Sequence, residues 1–255
     1  MVVEIEVLKR VKVKNGIFIE GMPGFGNIGQ IVAGYLIEEL KPQLFAKLYT
    51  SHFDHVVLIG PDGVVRPLAG YFYFFKPSKL IIYYGDQQAL TPQGTFELVN
   101  KILKFIKEIG VKFVITVGGV ATPTYKESRK VYGAVSDAKI KEKFKNLDID
   151  FESAGQNVGS IIGAVGLLTA YSKKYGMESL CLLAESPTLP YVPDQKGAKA
   201  VLEILLKILN IKLDLSKIEK KVKEQEELFK KIMKREKAVE KEEKEKEEKR
   251  LSYLG

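Results

Sequence analysis

Over its first 210 residues the chain alternates short runs of β-branched and aromatic residues with longer amphipathic stretches. Such alternation is typical of domains in which helices cover a β-sheet, so it predicts a layered α/β fold. The short runs predict eight strands, over residues 2–7, 17–20, 45–50, 56–59, 70–74, 80–84, 113–117 and 180–184. The longer stretches predict four helices, over residues 27–40, 95–109, 158–175 and 194–209.

The helix predicted over residues 158–175 carries small residues at helical spacing: Gly159, Gly163, Gly166 and Ala170. Each glycine inside a helix costs up to about 1 kcal/mol relative to alanine. Close packing against a neighbouring backbone would offset that cost. The neighbour can belong to the core or to another subunit, and the sequence leaves both open.

Length and composition limit the class of protein. A chain of 255 residues with 45% hydrophobic content can bury a substantial core, which argues against global disorder. No stretch approaches the roughly 20 apolar residues of a membrane span, and no signal peptide is recognisable, so we expect a cytoplasmic protein without a membrane partner. Its single cysteine, Cys181, excludes disulfide frameworks and multi-cysteine metal sites within one chain; its apolar surroundings predict a buried side chain.

The formal charge of +8 raises the question of nucleic-acid binding. Much of the charge belongs to the C-terminal region, where residues 216–250 hold 14 Lys or Arg and 11 Asp or Glu. The whole chain has five arginines, at well-separated positions, although phosphate and base recognition relies on the planar guanidinium group. Nucleic acid is therefore not the expected partner.

A glycine-rich turn follows the strand predicted over residues 17–20. It contains Gly21, Pro23, Gly24, Gly26 and Gly29, and the last three have the G-x-G-x-x-G spacing of dinucleotide-binding turns. In that role the glycines would let a pyrophosphate approach a helix N-terminus. The next predicted strand ends without the acidic residue that would hold a ribose. The alternative is a tight strand-to-helix turn in which glycine and proline permit close packing.

A second glycine turn, with Gly118, Gly119, Thr122 and Thr124, follows the most apolar predicted strand. Loops at the carboxyl ends of parallel strands are where α/β folds place ligands, so these residues are candidate pocket lining.

Candidate catalytic groups are few. Glu185 follows a predicted buried strand and is the best single candidate for an acid in a cleft, although a structural hydrogen-bonding role is the stronger interpretation. His52 and His55 lie next to a predicted strand, where alternating faces keep two imidazoles from converging on a metal. No catalytic triad spacing, Walker lysine or paired carboxylate motif is recognisable. We predict no catalytic residue, metal or cofactor.

The composition changes after residue 210. Apolar residues then recur at alternating three- and four-residue steps, which predicts a charged helical arm with an imperfect coiled-coil seam over residues 211–250. If residues 216–250 are helical, the arm measures about 50 Å. Its last five residues, Leu251, Ser252, Tyr253, Leu254 and Gly255, form either a docking peptide or a terminus without function. The predicted domains are therefore 1–210, 211–250 and 251–255.

Five segments together resemble the proteasome assembly chaperone 2 family, particularly its archaeal members: 20–29 (EGMPGFGNIG), 117–122 (VGGVAT), 131–135 (VYGAV), 163–168 (GAVGLL) and 182–187 (LLAESP). The resemblance covers roughly residues 15–215. It implies an α/β fold related to that of nucleoside phosphorylases, without an established phosphorylase activity. It also implies homo-oligomerisation.

The same resemblance implies a role for the tail. Some archaeal members end in a hydrophobic-Tyr-any residue peptide that enters pockets between subunits of the 20S proteasome α-ring, assisting assembly or opening the gate. Here Tyr253 is third from the end, Ser252 occupies the hydrophobic position, and Leu254 stands where the tyrosine is expected. Several tails on one oligomer could recover by avidity what each single tail lacks.

Two hypotheses from different classes follow. The first is a homo-oligomeric, ATP-independent chaperone or activator-like partner of the 20S proteasome that binds through residues 251–255. The alternative is an enzyme or sensor that binds a nucleotide or nucleoside at the Gly21 to Gly29 turn.

Overall fold

A computed structural model describes residues 3–122, 128–187 and 192–230. The contacts divide the chain into two units, with the boundary between Leu213 and Asp214. The strands of the first unit are β1 (Val3–Val7), β2 (Gly16–Gly21), β3 (Gln43–Thr50), β4 (Val57–Ile59), β5 (Val65–Pro67), β6 (Gly70–Phe75), β7 (Leu80–Gly85), β8 (Val111–Thr122), β9 (Val131–Val135) and β10 (Glu178–Pro187). Its α-helices are α1 (Ile28–Leu40), α2 (Pro92–Glu108), α3 (Ala154–Asn157), α4 (Ala164–Ser172) and α5 (Gln195–Leu209), and short 3-10 helices cover Phe25–Asn27, Ala138–Phe144 and Lys173–Tyr175.

Eight of the strands form one mixed sheet in the order β1-β3-β6-β7-β2-β8-β10-β9. The central strands β7, β2, β8 and β10 are parallel to their neighbours in this group, whereas β1, β3 and β6 on one side and β9 on the other pair antiparallel. The carboxyl ends of β7, β2, β8 and β10 therefore meet at one edge of the sheet, the edge at which α/β proteins bind ligands.

Helices cover both faces of this sheet. Helices α1 and α5 pack together on one face, and α2 and α4 pack together on the other. Side chains alternate between the two faces along β2. Phe18 belongs to the core cluster under α2, whereas its buried neighbour Ile19 points to the opposite face. The predicted layered α/β fold is confirmed at this level.

All eight predicted strands are present in the described residues, with small shifts at their ends. Two further strands, β5 and β9, were not predicted. Strand β5 has three residues and ends in Pro67, and β9 is interrupted by Gly133, so both lack a continuous β-branched run. Strand β8 continues through the second glycine turn to Thr122, since β10 pairs with it along this whole length.

The helix predicted over residues 158–175 is wrong in its first third. Gly159 and Gly163 have φ angles of 68° and 88°, in the left-handed region that ends a right-handed helix. Helix α4 therefore begins at Ala164, and a 3-10 helix follows it to Tyr175. The four small residues do not form one helical seam.

The other three predicted helices are confirmed, and aspartate side chains cap two of the described helices. The Asp194 side chain accepts hydrogen bonds from the backbone N–H groups of Lys196 and Gly197 at the start of α5, and Asp137 caps the 3-10 helix Ala138–Phe144 through Lys139. Cys181 is fully buried, as predicted, and burial raises the pKa of its thiol to about 12.

In the second unit, residues 216–230 are helical. Its least exposed residues lie at the predicted seam positions, namely Ile218, Val222, Gln225 and Phe229. Residues 231–255, which include the end of the predicted arm and the predicted docking peptide, lie outside the described residues. Among the helices that the structure describes, none has the length and apolar character to cross a bilayer.

Candidate functional site

A cleft of about 390 Å³ opens where the carboxyl ends of β2 and β8 meet. Its walls come from the turn after β2, from the end of β8, and from the segment that precedes α4. The lining residues are Met22, Gly24, Phe25, Gly29, Gln88, Val117, Gly118, Gly119, Val120, Ala121, Val158, Ser160, Ile161, Ile162, Val165 and Leu183. The structure thus brings both predicted glycine turns into one site.

The backbone of the turn after β2 packs directly against the backbone at the end of β8. A Cβ atom at Gly119 would stand 2.4 Å from the Phe25 carbonyl oxygen, and one at Gly29 would stand 2.6 Å from the Val117 carbonyl oxygen. Gly26 has a φ of 62° and lies against Ser186 of β10. These glycines are required for close packing between the turn and the two strands, independently of any ligand.

Gln88 joins the walls of the cleft. Its Nε2 donates to the Pro23 carbonyl oxygen at 2.7 Å, and its Oε1 accepts from the Ala164 backbone N–H, the first residue of α4, at 3.4 Å. Sequence reasoning missed Gln88. Its position could have identified it, because Gln88 follows β7 at the edge of the sheet where β2 and β8 also end.

Glu20 is a second residue that the sequence analysis did not single out. Its fully buried carboxylate accepts hydrogen bonds from the backbone N–H groups of Met22 at 2.7 Å and Val117 at 3.4 Å, both of which line the cleft. Desolvation by burial raises the pKa of Glu20 to about 7, against the opposing effect of these two hydrogen bonds. The signal was an acidic residue inside an otherwise apolar strand.

Glu185 lies outside the residues that line the cleft. It is buried on β10, where its carboxylate accepts from the Tyr132 hydroxyl at 2.9 Å and from the Lys130 backbone N–H at 3.4 Å. Lys130 in turn pairs through its ammonium group with Asp150. These contacts tie β9 to β10.

The two histidines do not converge. His52 follows β3 and its Nε2 lies 2.8 Å from Glu97 on α2, a hydrogen bond that lowers the pKa of Glu97. His55 is exposed beside Asp54. Within the described ranges no three His, Cys, Asp or Glu side chains are placed to hold a metal ion.

The lining of the cleft has little in common with a nucleotide site. Its side chains are mostly apolar, Gln88 and Ser160 are its polar members, and a phosphate would meet no lysine or arginine among these lining residues. In addition, the neighbours of β2 in the sheet are β7 and β8, and β6 and β7 separate β3 from β2. The end of β3 is therefore not placed to supply a ribose ligand next to the glycine turn.

The remaining predicted site residues lie at the rim or beyond the described part. Gly21 is buried at the end of β2 beneath Ala33, and the Thr122 hydroxyl donates to the Ser186 carbonyl oxygen at 3.2 Å. Thr124 and the whole predicted docking peptide, Leu251, Ser252, Tyr253, Leu254 and Gly255, lie outside the described residues.

Fold and cleft together define an α/β protein with a mixed eight-stranded sheet. An apolar, glycine-lined cleft lies where its parallel strands end. The model of the PAC2 family matches residues 18–233 of this chain. The chain belongs to the PAC2 family.

Individual relatives agree with this assignment. A protein of Methanocaldococcus jannaschii, the uncharacterized protein MJ1210, is 36% identical over 222 residues, which are 87% of this chain and 84% of the relative. Among solved structures, Pyrococcus furiosus PbaB, an archaeal proteasome activator, matches with a TM-score of 0.84 and 37% identity over 91% of this chain and 98% of its own. P. furiosus PbaA, an archaeal homolog of proteasome-assembly chaperone, matches with a TM-score of 0.74 and 26% identity over 94% and 97%.

Proposed function

We propose that this protein is a homo-oligomeric, ATP-independent proteasome assembly chaperone or proteasome activator. The observation that carries the proposal is its likeness to PbaB, an archaeal proteasome activator, along nearly the whole of both chains at 37% identity. The weaker likeness to PbaA, a homolog of proteasome-assembly chaperone, points to the same class of partner.

The chemistry of the cleft supports a binding role. Apolar side chains and glycine backbone dominate its walls, and its one bridging polar side chain, Gln88, is occupied by Pro23 and Ala164. Glu20, whose carboxylate binds the backbone N–H groups of the lining residues Met22 and Val117, is fully buried. Such a site fits the packing of apolar groups better than acid–base work on a polar substrate.

The C-terminal residues 251–255 are the proposed docking group, with the α-ring of the 20S proteasome as the partner. Tyr253 and Leu254 supply an aromatic and an aliphatic anchor. Aromatic anchors dominate the energetics of protein interfaces. The tyrosine is displaced by one position from the family pattern, so each tail binds weakly and the oligomer binds through several tails at once.

The proposal is tested by binding to immobilised archaeal 20S proteasome. Three forms are compared with the full chain: a chain ending at Arg250, the variant Tyr253→Ala, and Glu248→Gln, outside the docking group, as the control. We expect the shortened chain to lose binding, Tyr253→Ala to bind at least tenfold more weakly, and Glu248→Gln to bind within about twofold of the parent. Undiminished binding of the chain that ends at Arg250 would remove the tail from the proposal.

A second readout separates activation from assembly. Hydrolysis of a fluorogenic peptide by mature 20S particles rises on addition of the protein if it opens the gate. An assembly chaperone instead accelerates formation of 20S particles from separate subunits and leaves the peptidase rate of mature particles unchanged.

A further inference from the structure

Strands β4 and β5 form a separate two-stranded hairpin with an unusual surface. The register pairs Val57 with Pro67, Leu58 with Arg66, and Ile59 with Val65. Since side chains alternate along a strand, Val57, Ile59, Val65 and Pro67 share one face. All four are exposed, with Ile59 at 73% and Val65 at 61%. This outer face of the hairpin is entirely apolar.

The inner face shows the reverse pattern. Arg66, the charged residue of β5, points towards the body, where its Nη1 donates to the Tyr71 hydroxyl at 2.6 Å and its Nη2 donates to Asp86 at 3.1 Å. Asp86 also accepts from the Ala69 backbone N–H at 3.0 Å. An isolated two-stranded hairpin is marginally stable in water, so this clamp holds the apolar face outward.

A tyrosine-lined basin of about 400 Å³ adjoins the hairpin. Arg66 and Pro67 form part of its rim, and four partly exposed tyrosines of the main sheet form its floor and walls: Tyr49, Tyr71, Tyr73 and Tyr84. Tyrosine and arginine are the residues most often found at the energetic centres of protein interfaces. Pro67 belongs to both the outer face and the basin lining, and the outer face and the basin together are hereafter the hairpin surface.

We propose that the hairpin surface is the contact through which this chain binds a second copy of itself. The proposal rests on the homo-oligomer of the proposed function and names its interface. Transient interfaces are about as polar as ordinary surface, whereas permanent homo-oligomer contacts are richer in apolar area. A face made of Val57, Ile59, Val65 and Pro67 fits the permanent class.

The size of the surface fits as well. On the outer face Val57, Ile59 and Val65 are each about half to three-quarters exposed. Together they expose on the order of 300 Å², which is within the range of the largest apolar patch of a typical monomer and over a third of what one partner contributes to a standard interface. The basin adds partly exposed tyrosine side chains to this area.

The test is size-exclusion chromatography with multi-angle light scattering on the full chain. Ile59→Lys and Val65→Lys each place a charge on the outer face, and Leu90→Lys, at a residue that is 60% exposed and lies outside the hairpin and the cleft, is the matched control. We expect each hairpin variant to raise the dissociation constant of the oligomer at least 30-fold and to elute towards the 28.6 kDa of one chain. The control keeps the mass of the parent.

The outcomes separate the two proposals. A parent protein that has the mass of one chain at micromolar concentration overturns the homo-oligomer and the hairpin surface together. A parent oligomer that both hairpin variants leave intact, or that Leu90→Lys dissociates equally, overturns the hairpin surface alone and leaves the homo-oligomer standing.

Thiol labelling gives a second measurement that does not depend on dissociation. The native Cys181 is buried, with a raised pKa, so an engineered thiol is the reactive one. We expect Ile59→Cys to react with a maleimide at least tenfold more slowly than Leu90→Cys in the oligomer, and at the same rate after denaturation. Equal rates in the native protein would contradict the proposal.

Discussion

The buried carboxylate of Glu20 accepts a hydrogen bond from the backbone N–H of Val117 across the junction of β2 and β8, with 3.4 Å between nitrogen and oxygen. A second N–H, that of Met22, binds the other oxygen at 2.7 Å. One acidic side chain therefore satisfies backbone groups of β8 and of the turn after β2, both of which line the cleft. Its protonation state is coupled to the stability of this junction.

The first prediction concerns pH. Because burial raises the pKa of Glu20 from 4.5 to about 7, the folded state binds a proton that the unfolded state has released between these two values. The contribution of Glu20 to stability is thus full below pH 4.5 and is lost as pH rises through about 7. We expect the unfolding free energy of the parent, measured by denaturant titration, to fall between pH 4.5 and 8. In Glu20→Gln this fall is smaller by up to about 3 kcal/mol.

Glu97→Gln is the control for this experiment. The hydrogen bond from His52 lowers the pKa of Glu97, which is the opposite direction, so its contribution is lost as pH falls rather than as it rises. The Glu97→Gln variant keeps the decline of the parent towards pH 8. An unchanged decline in Glu20→Gln would show that Glu20 is not its source.

The second prediction concerns close packing in the glycine turn. Gly119→Ala places a methyl group 2.4 Å from the Phe25 carbonyl oxygen, so the turn has to move. We expect a loss of about 1–3 kcal/mol in unfolding free energy. Gly155→Ala is the matched control, because nothing lies within 4 Å of its Cβ position and its φ is ordinary; it leaves the stability equal or slightly higher. Thermal unfolding measures both variants.

The third prediction concerns a buried ion pair. The Arg129 Nε donates to the Asp194 carboxylate at 3.0 Å, with both side chains 2% exposed, and Asp194 also caps α5. Asp194→Ala leaves the guanidinium buried without this carboxylate, at an expected cost of about 3–5 kcal/mol. The exposed cap Asp137, replaced by alanine, costs about 1 kcal/mol. Equal losses in the two variants by chemical denaturation would contradict the importance of the buried pair.

The fourth prediction concerns the clamp that holds the hairpin. Arg66→Ala removes the hydrogen bonds to Tyr71 and Asp86 and leaves β4 and β5 as a marginal two-stranded sheet. By hydrogen exchange with mass spectrometry, we expect at least tenfold faster exchange over residues 57–67. Exchange over β8 stays as in the parent. Lys9→Ala, which removes an exposed hydrogen bond to Gln43, is the control and leaves the hairpin unchanged.

Local patterns predicted much of the fold because they reflect local physics. β-branched runs form the sheet wherever they are continuous, and the apolar stripe of α2 places Leu98, Val99 and Ile102 in the core as its period requires. The error before α4 arose because Gly159 and Gly163 have helical spacing but left-handed backbone angles, which spacing alone does not reveal.

The candidate site was only partly predictable. The glycines of both segments were found from the sequence, although those at Gly118 and Gly119 lie within β8 rather than in a turn after it. Gln88 and Glu20 were not, because each acquires its role from backbone groups far away in the chain, such as Ala164 and Val117. The exposed apolar face of the hairpin is likewise a property of strand register, which fixes Ile59 opposite Val65.

Size-exclusion chromatography with light scattering on a mixture of the full chain and archaeal 20S proteasome tests the central claim most directly. The account predicts co-elution at a mass above that of the 20S particle alone, carried by an oligomer, and loss of co-elution for the chain that ends at Arg250. An oligomer of full-length chains that elutes apart from the 20S particle at low and at physiological salt would contradict it.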